Sequence, residues 1–241
     1  MNKALENACT EALGVSKIDN RTATQATYTC YHMQQSLGEN FHAVWALANP
    51  FSDKVTRMNI PVTTRWWGLI TAVIHLTTNW DEWQRLAKLV VDTYDSKLMI
   101  SKVASDCYSF LNEPQIKADL LFIGAFGKDL FMPMFKWLQG VDFHAKVFGH
   151  RARSMAEFTF PLNHSLQAIT EDGSSRPQFR DYVNHWATLD AETIKQQRSK
   201  EGVFFRYFQA TVTKHFARWT SSPNIIMAFG GEPLLASALA K

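Results

Sequence analysis

Cys30-Tyr31-His32 sets a thiol and an imidazole two residues apart, the kind of pair from which zinc sites are built. The spacing argues against that use. On a helix, residues i and i+2 point about 200° apart, so one ion cannot be held by both from one face. No second pair stands at zinc-site spacing. Neither a metal site nor a cofactor is expected. The eight histidines are scattered, and His42 and His75 lie in apolar stretches where a satisfied core or boundary imidazole is the ordinary role. Paired carboxylates occur as Asp81 with Glu82 and Glu171 with Asp172, but both pairs are adjacent, so their side chains diverge. The first pair suits a helix start and the second a turn. With no nucleophile elbow, P-loop or GxGxxG, no activity is expected of the chain on its own.

One basic cluster stands out. HAKVFGHRAR, residues 144–153, joins Lys146, Arg151 and Arg153 to two histidines between strongly aromatic segments. Cations that track phosphates, interleaved with rings that stack on bases, suit single-stranded or distorted nucleic acid. The plainer alternative is a solvated charged face.

These residues must be carried by helices. Apolar spacing at three and four residues recurs nearly throughout. Residues 3–13 form a first helix that Gly14 stops, and SKIDNRTATQAT, residues 16–27, reads as a loop. Residues 28–48 resume the pattern, interrupted near Gly38 and ended before Pro50. Asn79 is the clearest start signal, with Glu82 placed to complete a capping box. Trp80, Trp83, Ala87, Val90, Val91 and Tyr94 then line one face. A second helix carries Ile100, Val103, Cys107, Phe110 and Leu111, and Pro114 suits the first turn of a third through Ile116, Leu120, Ile123 and Phe126. A kink or restart is expected at Pro133. Further helices are expected over 150–170, 178–198 and 203–219. EDGSSRP, residues 171–177, is the best candidate boundary.

The fold class is therefore all-α, about eight to ten helices, with a short strand remnant near 58–63 (MNIPVT) weakened by Pro61. Residues 1–170 and 178–241 read as two helical regions continuous within one domain. The chain has 241 residues, ample for a core without staples. The aromatic fraction is 13% and the net charge only +3, which permits a polyanion without implying one. Cys9, Cys30 and Cys107 have no paired spacing and fit a reducing compartment. MNKALENAC has no apolar core of a secretory signal. The uncharged run from Trp66 to Trp80 is shorter than the ~20 residues a spanning helix needs, so no membrane partner is expected.

Pro61-Val62-Thr63-Thr64-Arg65-Trp66-Trp67, followed by an apolar helix and then NWDEW, resembles the threonine-arginine-tryptophan segment of hAT superfamily transposases. MNKALENACTEALG also resembles the helix that follows a Cys-x-x-His motif in that family. There an RNase H-like core holds the catalytic carboxylates and a large all-helical domain is inserted into it. The resemblance implies that most of this chain is the insertion. It also implies that Arg65 and Trp66 are the pair whose indole stacks on a nucleotide flipped out at a DNA hairpin, with Trp67 turned into the core. Stacking is worth roughly 1 to 3 kcal/mol per base. The strand-borne aspartates and the Cys-x-x-His motif are absent, so the chain reads as truncated at its N-terminus. Glu232 is the carboxylate weighed for the family's catalytic glutamate. The expected partners are DNA and a second copy of the chain, and the expected location is nuclear. The alternative is a helical protein-interaction module with no nucleic-acid role, located in the cytoplasm.

Overall fold

A computed structural model describes residues 5, 8, 9, 11, 12, 23–52, 55, 57–61, 66–132 and 179–221. The fold is all-α, with no strand among the described residues. In chain order the helices are α1 (Ala23–Leu37), α2 (Phe41–Ala48), α3 (Trp66–Thr78), α4 (Trp80–Thr93), α5 (Met99–Leu111), α6 (Pro114–Phe126), α7 (Arg180–His185) and α8 (Ala191–Ser221). A 3-10 turn, Gly38–Asn40, joins α1 to α2, and another, Trp186–Thr188, follows α7. Leu5, Ala8, Cys9, Glu11 and Ala12 are helical, as the first apolar pattern requires. No helix among the described residues is long and apolar enough to cross a membrane.

The architecture is organised around α6. Its sequence, PQIKADLLFIGAF, has a single charge after Lys117, and a helix apolar on every side has to be enclosed. α1, α3, α5, α7 and α8 all pack against it. Ile116, Ala118, Leu120, Phe122, Ile123, Ala125 and Phe126 are buried there. α4 lies outside this layer, resting on α5 and α2 through Trp80, Trp83, Leu86, Ala87 and Val90. Those residues recur at three- and four-residue steps, so one apolar stripe suffices for a helix whose other side meets water.

Among the described residues aromatic rings gather in two nests. In one, Trp83 lies 5.4 Å from Trp45 and 6.0 Å from Phe41, with His75 edge-on at 6.1 Å. In the other, Phe122 and Phe126 of α6 meet Phe204, Phe205 and Phe208 of α8 at centroid distances of 4.8 to 5.9 Å. Most of these contacts are edge-on, the arrangement that the ring quadrupole favours.

Several boundaries differ from expectation. α1 begins at Ala23, inside the stretch 16–27 expected to be a loop, because Ala26 and Thr27 are buried and Thr29 returns its hydroxyl to the Gln25 carbonyl at 2.9 Å. α4 begins where Asn79 predicts, yet no capping box forms. Only one residue separates α3 from α4, and the Asn79 amide instead donates to the His75 carbonyl at 2.7 Å, closing the end of α3. Glu82 pairs with Arg85 at 3.5 Å.

Residues 58–61 belong to no helix or strand. Gln34 grips Met58 with both ends of its amide, donating to the Met58 carbonyl at 3.0 Å and accepting its N–H at 2.7 Å. A side chain thus supplies the pairing that a neighbouring strand would give. The break expected between 198 and 203 is absent, since α8 runs unbroken through Gly202. Its start is set at Asp190, which accepts the Thr193 N–H at 2.7 Å as an N-cap. The expected helix at 150–170, the turn at 171–177 and the kink at Pro133 lie outside the described residues. Just before Pro133, Gly127–Phe131 widens into a π turn, a common companion of lost helical hydrogen bonds.

Gly127 also marks a close approach. A Cβ built there lies 2.4 Å from Ile70 Cγ2, whereas one at Gly124 meets Val73, Ile74 and Thr77 only at 3.7 to 3.8 Å. Ile70 is β-branched and fully buried, so it has little room to yield. Gly127→Ala is expected to destabilise by about 1 to 3 kcal/mol. Gly124→Ala is expected to be neutral or to stabilise by up to about 1 kcal/mol through helix propensity. Urea denaturation of the two variants checks this, and equal effects would refute the close approach.

Candidate functional site

Of the residues expected to contact nucleic acid, Arg65, Lys146, Arg151 and Arg153 lie outside the described residues. Trp66 is the first residue of α3. Leu69, Ile70, Val73 and Leu76 follow position 66 at helical steps, and all are buried. Ile70, Thr71, Ile74 and Thr78 follow position 67, and these pass from buried through half-buried to exposed. The buried stripe of α3 is formed by Leu69, Ile70, Ala72, Val73 and Leu76. The helix itself is firmly seated, since α3 packs along α6 and α1.

The Cys30-x-His32 pair behaves as its spacing demands, with Cys30 buried and His32 exposed. Among the described residues no three of His, Cys, Asp and Glu converge to hold a metal. His75 is half-buried, its pKa lowered by burial, so it is neutral at physiological pH. Its Nε2 has no hydrogen-bond partner among the described residues. His42, by contrast, is exposed, because it lies on the solvent side of α2 while Phe41 and Trp45 take the core side.

The densest polar chemistry of the described residues lies where α6, α7 and α8 meet, and neither spacing nor motif singled it out. Asp119, the one charge in the buried part of α6, accepts from Gln197 at 2.8 Å and from Lys200 at 3.2 and 3.3 Å. Burial raises the Asp119 pKa, and the Lys200 charge with the two donors works against that rise without cancelling it. One turn away, the Tyr182 hydroxyl donates to Glu201 Oε1, and both residues are 1% exposed. Glu201 Oε2 has no partner among the described residues.

Burial pushes the Glu201 carboxyl up to about 8, against smaller opposing effects of Tyr182 and Arg198. Burial also raises the Tyr182 phenol and the Cys9 thiol, each further raised by a carboxylate, Glu201 for Tyr182 and Asp119 for Cys9. The N-terminal helical residues therefore lie within electrostatic reach of the same cluster. The nearby cations are otherwise engaged: Lys200 faces Asp119, and the Arg198 guanidinium lies 5.1 Å over the Trp186 ring.

Two sequence signals mark this cluster. Asp119 is isolated in an otherwise apolar run, and Gln197, Lys200 and Glu201 recur at three and four residues, the spacing of one helix face. Chemically the cluster holds protons and pairs charges. Its contacts fasten α8 to α6 through Asp119 and α7 to α8 through Tyr182 and Glu201.

Comparison with protein-family models, curated proteins and solved structures returns no match for this chain.

A raised carboxyl pKa gives a defined pH dependence. Below about 4.5 Glu201 is protonated whether the chain is folded or not; between 4.5 and about 8 the unfolded chain has lost that proton while the folded one keeps it. The unfolded state then binds fewer protons, so stability falls as pH rises through that window and levels above it. Glu201→Gln keeps the Tyr182 hydrogen bond without a charge. Its melting temperature is expected to fall less than that of the wild type between pH 5 and 8.5. Parallel curves by circular dichroism would contradict a neutral Glu201.

Proposed function

We propose that the chain is a hAT transposase-like helical domain that binds distorted DNA through Arg65 and Trp66, with Lys146, Arg151 and Arg153 adding backbone contacts, and without catalytic activity of its own. The observation that carries this reading is the place of Trp66 as the first residue of α3. Trp66 thereby stands at a helix N-terminus, where the first-turn N–H groups and the helix dipole favour a phosphate. Leu69, Ile70, Ala72, Val73 and Leu76 anchor that helix in the core, which suits a platform that has to hold a ring against an unstacked base. A nuclear location and self-association belong to the same reading.

A second reading, a protein-interaction module, draws on a different observation. At the end of α2 Leu47 is 75% exposed and Phe51 97% exposed, side chains that a soluble surface seldom leaves together in water.

Fluorescence anisotropy with hairpin, bulged and plain duplex DNA separates the two. DNA binding predicts tighter binding of the hairpin and affinity that falls as salt rises. Trp66→Ala is expected to weaken hairpin binding roughly 5- to 150-fold while leaving plain duplex unchanged. Because neighbouring residues on a helix point about 100° apart, the two indoles cannot serve one face, and Trp67→Ala is the necessary companion. Loss of hairpin preference only in Trp67→Ala would reverse the two roles, and no salt-sensitive binding at all would remove the DNA reading.

A further inference from the structure

Cys30 on α1 and Cys107 on α5 are fully buried with their sulfurs 3.1 Å apart, though 77 positions separate them in sequence. A disulfide holds its sulfurs at about 2.05 Å, so closure needs an approach of about 1 Å. The interface around them favours that approach. α1 and α5 pack along one another, and the buried residues one turn from the thiols include Ala26 and Ala104, small side chains that allow a close approach of the two helices.

We propose that Cys30 and Cys107 form a dithiol that a hydroperoxide closes to a disulfide, pinning α1 to α5. One sulfur attacks the peroxide oxygen, the O–O bond breaks, and the departing hydroxide takes up the proton released by that thiol to leave as water. The product is a sulfenic acid. The second sulfur then attacks the sulfenyl sulfur, the S–O bond breaks, and the oxygen leaves as a second water with the remaining thiol proton. Two electrons pass from the two sulfurs to the peroxide.

A hydroperoxide is the fitting oxidant because it is small. A bulky mixed disulfide has no room between two helices in contact. Burial, and then the neighbouring Cys30, raises the Cys107 thiol well above its ordinary range, so it stays protonated while the interface is closed. The reaction therefore runs through brief separations of α1 from α5, and its rate reports how often they part. Cys9, a buried thiol kept protonated by burial and by the charge of Asp119, is the internal control. The product encloses all of α2, α3 and α4 in one covalent loop.

The test treats the purified full chain with hydrogen peroxide, then alkylates it under denaturing conditions and maps the cysteines by mass spectrometry. The expected result is a Cys30–Cys107 cross-linked peptide with Cys9 alkylated. A rise in melting temperature of roughly 5 to 15 °C, reversed by dithiothreitol, should accompany it. Cys107→Ala should abolish both effects, and Cys30→Ala serves if that variant does not fold. Three alkylated cysteines after peroxide exposure that oxidises the urea-unfolded chain, or a cross-link to Cys9, would overturn the proposal.

Discussion

A carboxylate, Asp119, is buried within the helix packing, and much of the arrangement follows from that. α6 is apolar on nearly every side, and Asp119 is its one charge away from the first turn. An unpaired buried charge is among the most costly features a fold can carry. Gln197 and Lys200 answer it, and both come from α8. Since these donors are three residues apart on one helix, α8 has to lie across α6 in a single register to bring both to the same carboxyl. Glu201, Phe204, Phe205 and Phe208 continue that face, and the edge-on rings beyond the polar layer hold the register from the other end.

The same constraint explains why α8 does not break where its sequence loosens. SKEGVFF offers a polar stretch and a glycine, and a glycine inside a helix costs about 1 kcal/mol relative to alanine. A break between 198 and 203 would part Gln197 from the phenylalanines and rotate Lys200 and Glu201 away from their partners. The desolvation of Asp119 outweighs the propensity of Gly202. Glu201 shows the other resolution of a buried carboxyl: burial outweighs the charge of Arg198, so it keeps its proton and remains an acceptor for Tyr182.

Helix type and approximate extent were legible because apolar period is a local property. Trp80, Trp83, Ala87 and Val90 mark their stripe whatever they pack against, and Pro114 opens α6 by its missing N–H alone. Features that depend on a choice between partners were not legible. Asn79 has one amide and two helix ends within reach, and only the single-residue spacing of α3 and α4 decides for the His75 carbonyl. Gln34 replaces a strand partner for Met58 from 24 positions away, which no window of local sequence contains. The cluster at Asp119 was hidden in the same way, as its two halves lie about eighty residues apart and neither looks chemical by itself. The aromatic richness was visible, but its division into two nests required the topology.

The head of α3 is where fold and proposed function meet. Ile70 is pressed against the backbone of Gly127 so closely that no β-carbon fits between them, and Leu69 and Val73 are enclosed beside it. The first turns of α3 therefore cannot slide or tilt without disturbing the end of α6, where the helix already widens into its π turn. Phe126, at that end, packs on Phe204 and Phe208. The position of Trp66, the first residue of α3, is thus referred, through Ile70 and Gly127, to the same packing that holds α8. A helix start fixed in this way loses little freedom on meeting a rigid partner such as a nucleic-acid backbone, and pre-organisation of that kind raises affinity without adding a contact.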